Sequence, residues 1–291
     1  MFSLVSHPNM GSVRNSPVSG SPSGFATPSI YQSAANDICQ EVVEGIGEII
    51  EELEQSDEQI ASYAPDQIHT DEVILTYSAS PTVHRFLLKA ASKRRFTVIY
   101  AESFPNNHQK VHGFVTGKSN SQQRQGYDDF DDLPGRTQSF QKTLTGAGVT
   151  VVVIPDSAVF ALMSRVNKVI LSTHAILSNG ALLAPAGTKL VAKSATAHRV
   201  PVVVLAATYQ LTPTPYPHDP EAYLEYGDPA KVVPYQDREL VDSDQVEIEN
   251  PLWDFVPPDC VDMYVTNLGG HAPRYLYRVM RDQYRDEDLE F

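Results

Sequence analysis

The residues best placed to do chemistry follow short apolar runs that have the composition of buried strands. They carry hydroxyl, carboxyl, imidazole or amide groups: Ser78, Glu102, Asp156, Thr173, His174 and Asn267. Because the carboxyl ends of parallel strands meet at one edge of a sheet, and ligands bind at that edge, we expect these groups to converge. They define a pocket. They do not define a reaction, because no nucleophile, acid and base stand at a spacing that proves one.

A second candidate site is the start of a helix at residue 187. Gly187 and Thr188 open an alanine-rich segment, and the residues Ser178, Asn179 and Gly180 before it form a turn signal. Free amide groups at a helix start can hold an anion. The alternative is that Gly187 only allows the helix to pack closely on the sheet, and spacing alone favours this plainer interpretation.

Motifs for nucleotide binding, nucleophilic catalysis and zinc binding are absent from the sequence. No phosphate loop, no glycine-rich fingerprint after a strand and no serine nucleophile elbow is found. The two cysteines, Cys39 and Cys260, and the scattered histidines lack zinc-ligand spacing. The sequence therefore predicts neither a cofactor nor a metal.

Charge and composition argue against nucleic acids and membranes as binding partners. The formal net charge is −14, from 36 acidic and 22 basic residues, so most of the surface should repel a nucleic-acid backbone. No apolar run approaches the roughly 18 residues of a membrane span, and the N-terminus lacks a signal-peptide pattern. Two distant cysteines fit a reducing compartment. These features predict a cytoplasmic protein without membrane or direct nucleic-acid contacts.

The elements that must position these groups alternate between strand-like and helix-like stretches. Six parallel strands are predicted, separated by helices or loops, and they begin near residues 73, 97, 149, 168, 201 and 262. This alternation is typical of an α/β fold with a Rossmann-like, doubly wound, mostly parallel sheet. A short helical segment precedes it.

The remaining segments give the predicted domain organisation. Residues 1–27 are rich in Ser, Pro and Gly and are expected to be a disordered lead, followed by helices over 28–66. Within these, Ser56 and Asp57 are expected to end a long amphipathic acidic helix and to start a shorter one. Residues 67–291 form the α/β domain, with a mobile insertion at about 106–133.

Several stretches together resemble one family. They are EVILTYSASPTVHRFLLKAASKRRFTVIYAES, VNKVILSTHAILSNGALLAPAGT and NPLWDFVPPDCVDMYVTNLGGHAPRYLYRVMRDQY. They resemble the beta-type regulatory subunits of the guanine-nucleotide exchange factor for eukaryotic translation initiation factor 2. The resemblance implies a Rossmann-like domain shared with sugar-phosphate isomerases of the methylthioribose-1-phosphate type. It also implies a non-catalytic role in sensing the phosphorylated initiation factor.

The resemblance to the isomerases implies where catalytic groups would lie. Their catalytic cysteine corresponds to Ser78, and their catalytic aspartate corresponds to His174, so both reacting groups are replaced. Other positions of the isomerase site have counterparts that suggest a vestigial pocket for an anion or sugar phosphate: Glu102, Arg136, Asn179, Gly187 and Thr188. An isomerase or a metabolite sensor descended from one remains the alternative function.

The last segment suggests a partner surface. The predicted helix after Pro273 has more aromatic and apolar residues than one sheet-facing stripe requires, although all of them could instead pack internally. The predicted interface residues are Trp253, Phe255, Asn267, His271, Tyr275, Tyr277 and Met280. The resemblance implies that the partners are homologous delta and alpha subunits, catalytic gamma and epsilon subunits, and translation initiation factor 2.

Overall fold

The computed structural model describes residues 29–78, 80–105, 137–217, 224–233 and 246–285. The chain divides into two compact units, Met1–Ile50 and Glu51–Phe291, and the second contains the whole sheet. The predicted lead, residues 1–27, and the predicted insertion, residues 106–133, lie outside the described residues. No helix in the described ranges is long and apolar enough to cross a membrane.

Helices and strands alternate through the second unit, as the apolar runs predict. The helices are α1 (Ser29–Ser62), α2 (Ala64–Gln67), α3 (Pro81–Ala91), α4 (Thr137–Gly146), α5 (Val159–Leu162), α6 (Thr188–His198) and α7 (Leu276–Gln283). The strands are β1 (Val73–Tyr77), β2 (Thr97–Ala101), β3 (Thr150–Ile154), β4 (Lys168–Ser172), β5 (Ala175–Ile176), β6 (Leu182–Pro185), β7 (Val202–Leu205), β8 (Trp253–Val256), β9 (Met263–Thr266) and β10 (Gly269–His271).

The main sheet has seven strands in the order β10-β9-β7-β4-β1-β2-β3. Six of these strands run parallel, and β10 pairs antiparallel with β9 at one edge. The parallel strands are those predicted from the sequence, since Val- and Ile-rich runs without alternation are typical of strands buried on both faces. The prediction of a doubly wound α/β fold is confirmed.

Two apolar layers cover the sheet. One layer contains Leu75, Tyr77, Ile99 and side chains of α6 and α7, together with the buried face of a small second sheet. The other contains Ile74, Val98 and Tyr100, packed under the C-terminal end of α1 and under α2, α3 and α4. Because successive residues of a strand point to opposite faces, neighbouring residues of β1 and β2 enter different layers.

A three-stranded antiparallel sheet, with the order β5-β6-β8, was not expected from the sequence. Strands β5 and β6 lie in the connection between β4 and α6, where a loop is predicted. Strand β8, about 70 residues further along the chain, pairs with β6. Its strands have two to four residues, which is too short to give a strand periodicity. This sheet carries several residues to the candidate site.

The helix prediction before the sheet was wrong at Ser56 and Asp57, because α1 continues without a break to Ser62. Ser56 donates its hydroxyl proton to the Glu52 carbonyl oxygen within the helix, at 2.9 Å. Asp57 accepts hydrogen bonds from Thr82 at 3.0 Å and from Arg85 at 3.1 Å. Both polar side chains are therefore satisfied inside a continuous helix, and neither acts as an N-cap.

The segment between β3 and β4 consists of three short pieces and not of one regular helix. A 3-10 turn at Asp156–Ala158, the four-residue α5 and a second 3-10 turn at Met163–Arg165 follow one another. The buried side chains Val159 and Met163 still anchor the segment in the core. The segment therefore packs on the core through its apolar side chains, although its backbone is not a regular helix.

Candidate functional site

Three of the predicted site residues follow neighbouring strands at the carboxyl edge of the main sheet. Ser78 follows β1, Glu102 follows β2 and His174 follows β4, and these strands are adjacent in the order β4-β1-β2. Ser78 is buried and has a positive φ of 60°, which lies in the left-handed region. Glu102 is exposed. The fold therefore brings these three residues to one edge, as the sequence predicts.

The phenol of Tyr77, the last residue of β1, fills the space beside this edge. Its hydroxyl donates to the Ala186 carbonyl oxygen at 2.6 Å and lies 3.4 Å from Asp156 Oδ2. The other carboxylate oxygen of Asp156 accepts from the Ser103 amide at 2.9 Å. Tyr77 is 3% exposed. Tyr77 thus connects the end of β1 to the start of α6, and through Asp156 it is linked to the ends of β2 and β3.

The environment keeps this phenol protonated. Burial is the main cause that raises the pKa of Tyr77 far above its usual value, and the nearby negative charges of Asp156 and Asp254 add to it. The protonated phenol donates its hydrogen bond to the Ala186 carbonyl oxygen. Tyr77 is therefore a structural donor at this position.

Asp254 fills the position at which an anion was considered. One of its oxygens, Oδ2, accepts from the amide of Gly187 at 2.7 Å and from the amide of Lys189 at 3.0 Å. These are amides at the N-terminus of α6, where the helix dipole favours negative charge. The expectation of free amides at this helix start is wrong, because a carboxylate of the chain itself already binds them.

Gly187 allows close packing of the helix start, which is the interpretation that its spacing in the sequence favours. It has a positive φ of 97°, and a Cβ atom built on it would lie 2.0 Å from the Tyr77 hydroxyl oxygen. Any side chain here would displace the phenol that closes the edge of the sheet. Thr188, which follows, is buried and donates its hydroxyl proton to the Pro185 carbonyl oxygen at 2.6 Å. Both residues serve the packing of the helix start.

His174 packs against the small sheet. Its amide donates to the Leu183 carbonyl oxygen at 2.9 Å, and its ring centroid lies 4.7 Å from that of Trp253. The imidazole is thus held against an indole of β8, next in sequence to Asp254.

Asn179 is exposed in the turn between β5 and β6. Its side chain accepts from the Ala181 amide at 2.9 Å, and Tyr264 of β9 donates its hydroxyl proton to the neighbouring Gly180 carbonyl oxygen. A place for Asn179 in the pocket stays a prediction. Arg136 lies outside the described residues, so its place in the pocket stays a prediction.

Two of the residues that shape this edge were missed or given another role by the sequence analysis. Asp156 was placed among the strand-end groups, but its contact with Tyr77 was not foreseen. Asp254 was overlooked, although it is the only charged residue in the apolar strand β8, and that isolation is a usable signal. Among the described residues, no cluster of three or more His, Cys, Asp or Glu side chains is arranged to hold a metal ion.

The seven residues predicted for a partner surface divide into two groups. Trp253, Phe255 and Met280 are buried within the chain, so their side chains are unavailable to a partner in this conformation. Tyr275 and Tyr277 are 45% and 58% exposed, and Asn267 and His271 are partly exposed. The apolar side chains of α7 thus pack internally, whereas Tyr275 and Tyr277 are exposed, so the alternative that all of these residues pack internally does not hold.

Most of the chain is similar in sequence to known proteins. The chain is 41% identical over 247 residues to the translation initiation factor eIF2B subunit beta of Schizosaccharomyces pombe. This match covers 85% of the chain and 56% of the relative, so the chain spans little more than half of that protein. A chain of the solved tetrameric eIF2B-beta2-delta2 complex from C. thermophilum has 33% identity and a TM-score of 0.58. That match covers 84% of this chain and 66% of the other.

An enzyme is also among the relatives. Ribose 1,5-bisphosphate isomerase of Pyrococcus furiosus is 31% identical over 143 residues, which is 49% of this chain and 44% of the enzyme. The model of the initiation factor 2 subunit family matches residues 7–116 and 133–273, well over half of the chain. The chain therefore belongs to the initiation factor 2 subunit family.

Proposed function

We propose that this protein is a regulatory, non-catalytic subunit of the guanine-nucleotide exchange complex for translation initiation factor 2. It assembles with homologous regulatory subunits and helps the complex to sense the phosphorylated initiation factor. The observation that carries the proposal is the 41% identity to a beta subunit over 85% of the chain. A protein with this role works in the cytoplasm, where translation is initiated.

The geometry of the strand edge supports a non-catalytic role. The resemblance to the isomerases assigns Ser78 and His174 to the positions of the catalytic cysteine and aspartate, and this assignment supports the proposal. An uncharged serine hydroxyl is a weaker nucleophile than a cysteine thiolate, and the partly buried imidazole that packs against Trp253 is not a carboxylate. Tyr77 and Asp254 fill the neighbouring space and the helix start. A sugar phosphate would have to displace both side chains in order to bind at α6.

A nucleotide-exchange assay tests the proposed regulatory role. The chain would replace the beta subunit in a complex with alpha, gamma, delta and epsilon subunits, and GDP release from initiation factor 2 would be measured with and without the phosphorylated factor. We expect release to be inhibited by the phosphorylated factor when the chain is present. Exchange by an assembled complex that ignores phosphorylation would contradict the proposal.

The alternative function is a sugar-phosphate isomerase or a metabolite sensor derived from one, and the identity to ribose 1,5-bisphosphate isomerase favours it. Incubation of the purified chain with ribose 1,5-bisphosphate and with methylthioribose-1-phosphate decides between the two functions. We expect no turnover of either compound. Turnover that is lost in Ser78→Ala would establish the isomerase instead.

The surface that we assign to partner binding is the exposed part of the segment between β9 and the end of α7. Its accessible residues include Asn267, His271, Tyr275 and Tyr277. Aromatic residues that expose half of their surface are typical of sites at which partners bury area. The solved relative is a complex of beta and delta subunits, which supports a homologous delta chain as the partner here.

A further inference from the structure

A threonine–proline pair is repeated in the segment after β7, where the chain reads Thr212-Pro213-Thr214-Pro215. The part of the chain that the structure describes has three serines or threonines directly before a proline: Ser80, Thr212 and Thr214. Ser80 is 4% exposed at the start of α3, Thr212 is partly buried, and Thr214 is exposed. Thr214 is therefore the accessible hydroxyl of this kind in the described ranges.

The fold holds this segment in an extended conformation along the small sheet. Leu211 forms a parallel bridge with Ile176 of β5. The Thr212 amide donates to the Ile176 carbonyl oxygen at 2.8 Å, and the Ser178 amide donates to the Thr214 carbonyl oxygen at 3.1 Å. A proline at the next position also biases each threonine toward an extended backbone. Thr214 is thus presented on a backbone that is fixed before any partner binds.

The two threonines are not equivalent in this arrangement. Their hydroxyl oxygens lie 2.8 Å apart, and the Thr214 amide also donates to Thr212 Oγ1 at 3.3 Å. Within the described ranges, the Thr214 hydroxyl makes only the first of these contacts. Release of the exposed Thr214 hydroxyl therefore breaks one hydrogen bond, whereas Thr212 becomes accessible only when the backbone opens locally.

A proline directly after a hydroxyl residue is a feature that an enzyme can recognise. Proline has no backbone N–H and fixes its own φ at about −65°. A pocket shaped for proline offers no acceptor, so any other residue there would leave its N–H unpaired, which is unfavourable. Protein kinases that select a proline after the acceptor residue are called proline-directed.

We propose that Thr214 is a phosphorylation site for a proline-directed protein kinase. In this step Thr214 Oγ1 forms a bond to the γ-phosphorus of ATP, and the bond from that phosphorus to the β,γ-bridging oxygen breaks. ADP leaves, and the hydroxyl proton passes to the catalytic aspartate of the kinase. The product carries a charge of about −1.5 to −2 at neutral pH. The inference goes beyond the proposed function and does not depend on it.

The phosphate would lie beside the end of α7. Tyr284, directly after α7, donates its hydroxyl proton to the Leu211 carbonyl oxygen at 2.6 Å. Leu211 is three residues before Thr214, a distance of about 10 Å along an extended chain. The modification therefore adds negative charge next to the segment between β9 and the end of α7.

The test treats the purified 291-residue chain with MgATP and with each of two proline-directed kinases, one cyclin-dependent and one mitogen-activated. Mass spectrometry of its peptides locates the phosphate and follows its rate of incorporation. A free peptide of residues 208–217 is treated in parallel. Pro215→Ala removes the proline after Thr214, and Pro213→Ala is the matched control because it removes the proline after Thr212. Circular dichroism establishes that each variant is folded.

We expect phosphate on Thr214 of the folded chain, and we expect the rate ratio of Thr214 to Thr212 to be about tenfold higher there than in the free peptide. Pro215→Ala should lose the phosphate on Thr214, and Pro213→Ala should keep it. A folded chain without phosphate on Thr214 would overturn the inference, whether or not the peptide is modified. An equal rate ratio in the folded chain and the peptide, or an unchanged rate at Thr214 in Pro215→Ala, would also overturn it.

Discussion

At the scale of single residues, two buried tyrosines differ in how their hydroxyls are satisfied. Tyr77 donates to the Ala186 carbonyl oxygen, whereas the Tyr100 hydroxyl has no hydrogen-bond partner among the described residues. A buried polar group without a partner costs stability, and a paired one contributes to it. Tyr77→Phe should therefore lower the free energy of unfolding by about 1–2 kcal/mol, and Tyr100→Phe should leave it equal or raise it slightly. Urea denaturation of both variants compares them, and equal losses would contradict this account.

Tyr77 and Tyr100, together with the buried Tyr264, should make the protein less stable at alkaline pH. Burial raises the pKa of Tyr100 to about 12 from the ordinary value of 10.0, and it raises those of Tyr77 and Tyr264 further. Their contribution is complete below pH 10 and is lost as the pH rises toward the folded-state pKa, because the unfolded chain ionises first. Stability should fall steadily above pH 10. Thermal melts between pH 8 and pH 11 measure this, and Tyr264→Phe should reduce the slope; an unchanged slope would argue against it.

The hydrogen bonds that Asp254 accepts at the start of α6 should contribute to the stability of the protein. Asp254→Ala removes the acceptor for the amides of Gly187 and Lys189 and should cost about 1–2 kcal/mol. Asp254→Asn keeps an acceptor oxygen and should cost distinctly less, since asparagine caps helices nearly as well as aspartate. Chemical denaturation of the two variants separates capping from charge. If the asparagine variant is as unstable as the alanine variant, the negative charge and not the hydrogen bond is what matters.

At the scale of elements, helix α1 has two different surfaces. Ile60, near its C-terminal end, is fully buried, whereas Ile46 is 52% exposed. The same substitution should therefore have unequal effects: Ile60→Ala should cost about 2–5 kcal/mol, and Ile46→Ala should change stability by less than about 0.5 kcal/mol. Differential scanning calorimetry of the two variants gives the comparison. A large loss for Ile46→Ala would show that the exposed apolar residues of α1 are covered in solution.

The elements also show what sequence reasoning can reach. Strands β1, β2, β4, β7 and β9 were predictable because their apolar runs reflect burial on both faces, and the edge strand β3 was predictable from its Val-rich composition, although Val152 and Val153 are exposed. The small sheet was not, because β5 has only two residues and pairs through β6 with β8, so no local period marks it. Ser56 and Asp57 have the composition of a helix start, but Ser56 bonds to Glu52 within α1 and Asp57 accepts from Thr82 of α3, and these contacts override that local signal.

The candidate site was only partly predictable for a related reason. Ser78, Glu102 and His174 share an edge because parallel topology requires it, and the sequence supplies that topology. The contacts that close the edge join residues far apart in the chain: Tyr77 and Asp156 are separated by 79 positions, and Gly187 and Asp254 by 67. No spacing rule predicts such pairs. They depend on how the second sheet packs against the first.

At the scale of the whole molecule, the doubly wound sheet has a filled carboxyl edge and an exposed aromatic segment at one side. Tyr77 and Asp254 fill the carboxyl edge, and Tyr275 and Tyr277 are exposed at the start of α7. The regulatory role that we propose acts through assembly. The central property in that proposal is therefore a complex with a homologous chain.

Sedimentation velocity of the purified chain, alone and mixed in equal amounts with a delta-type regulatory subunit, tests that property most directly. We expect a new boundary in the mixture, at the mass of a complex that contains both chains, with depletion of the free components. A mixture that sediments as the sum of its separate components at micromolar concentrations would contradict the account.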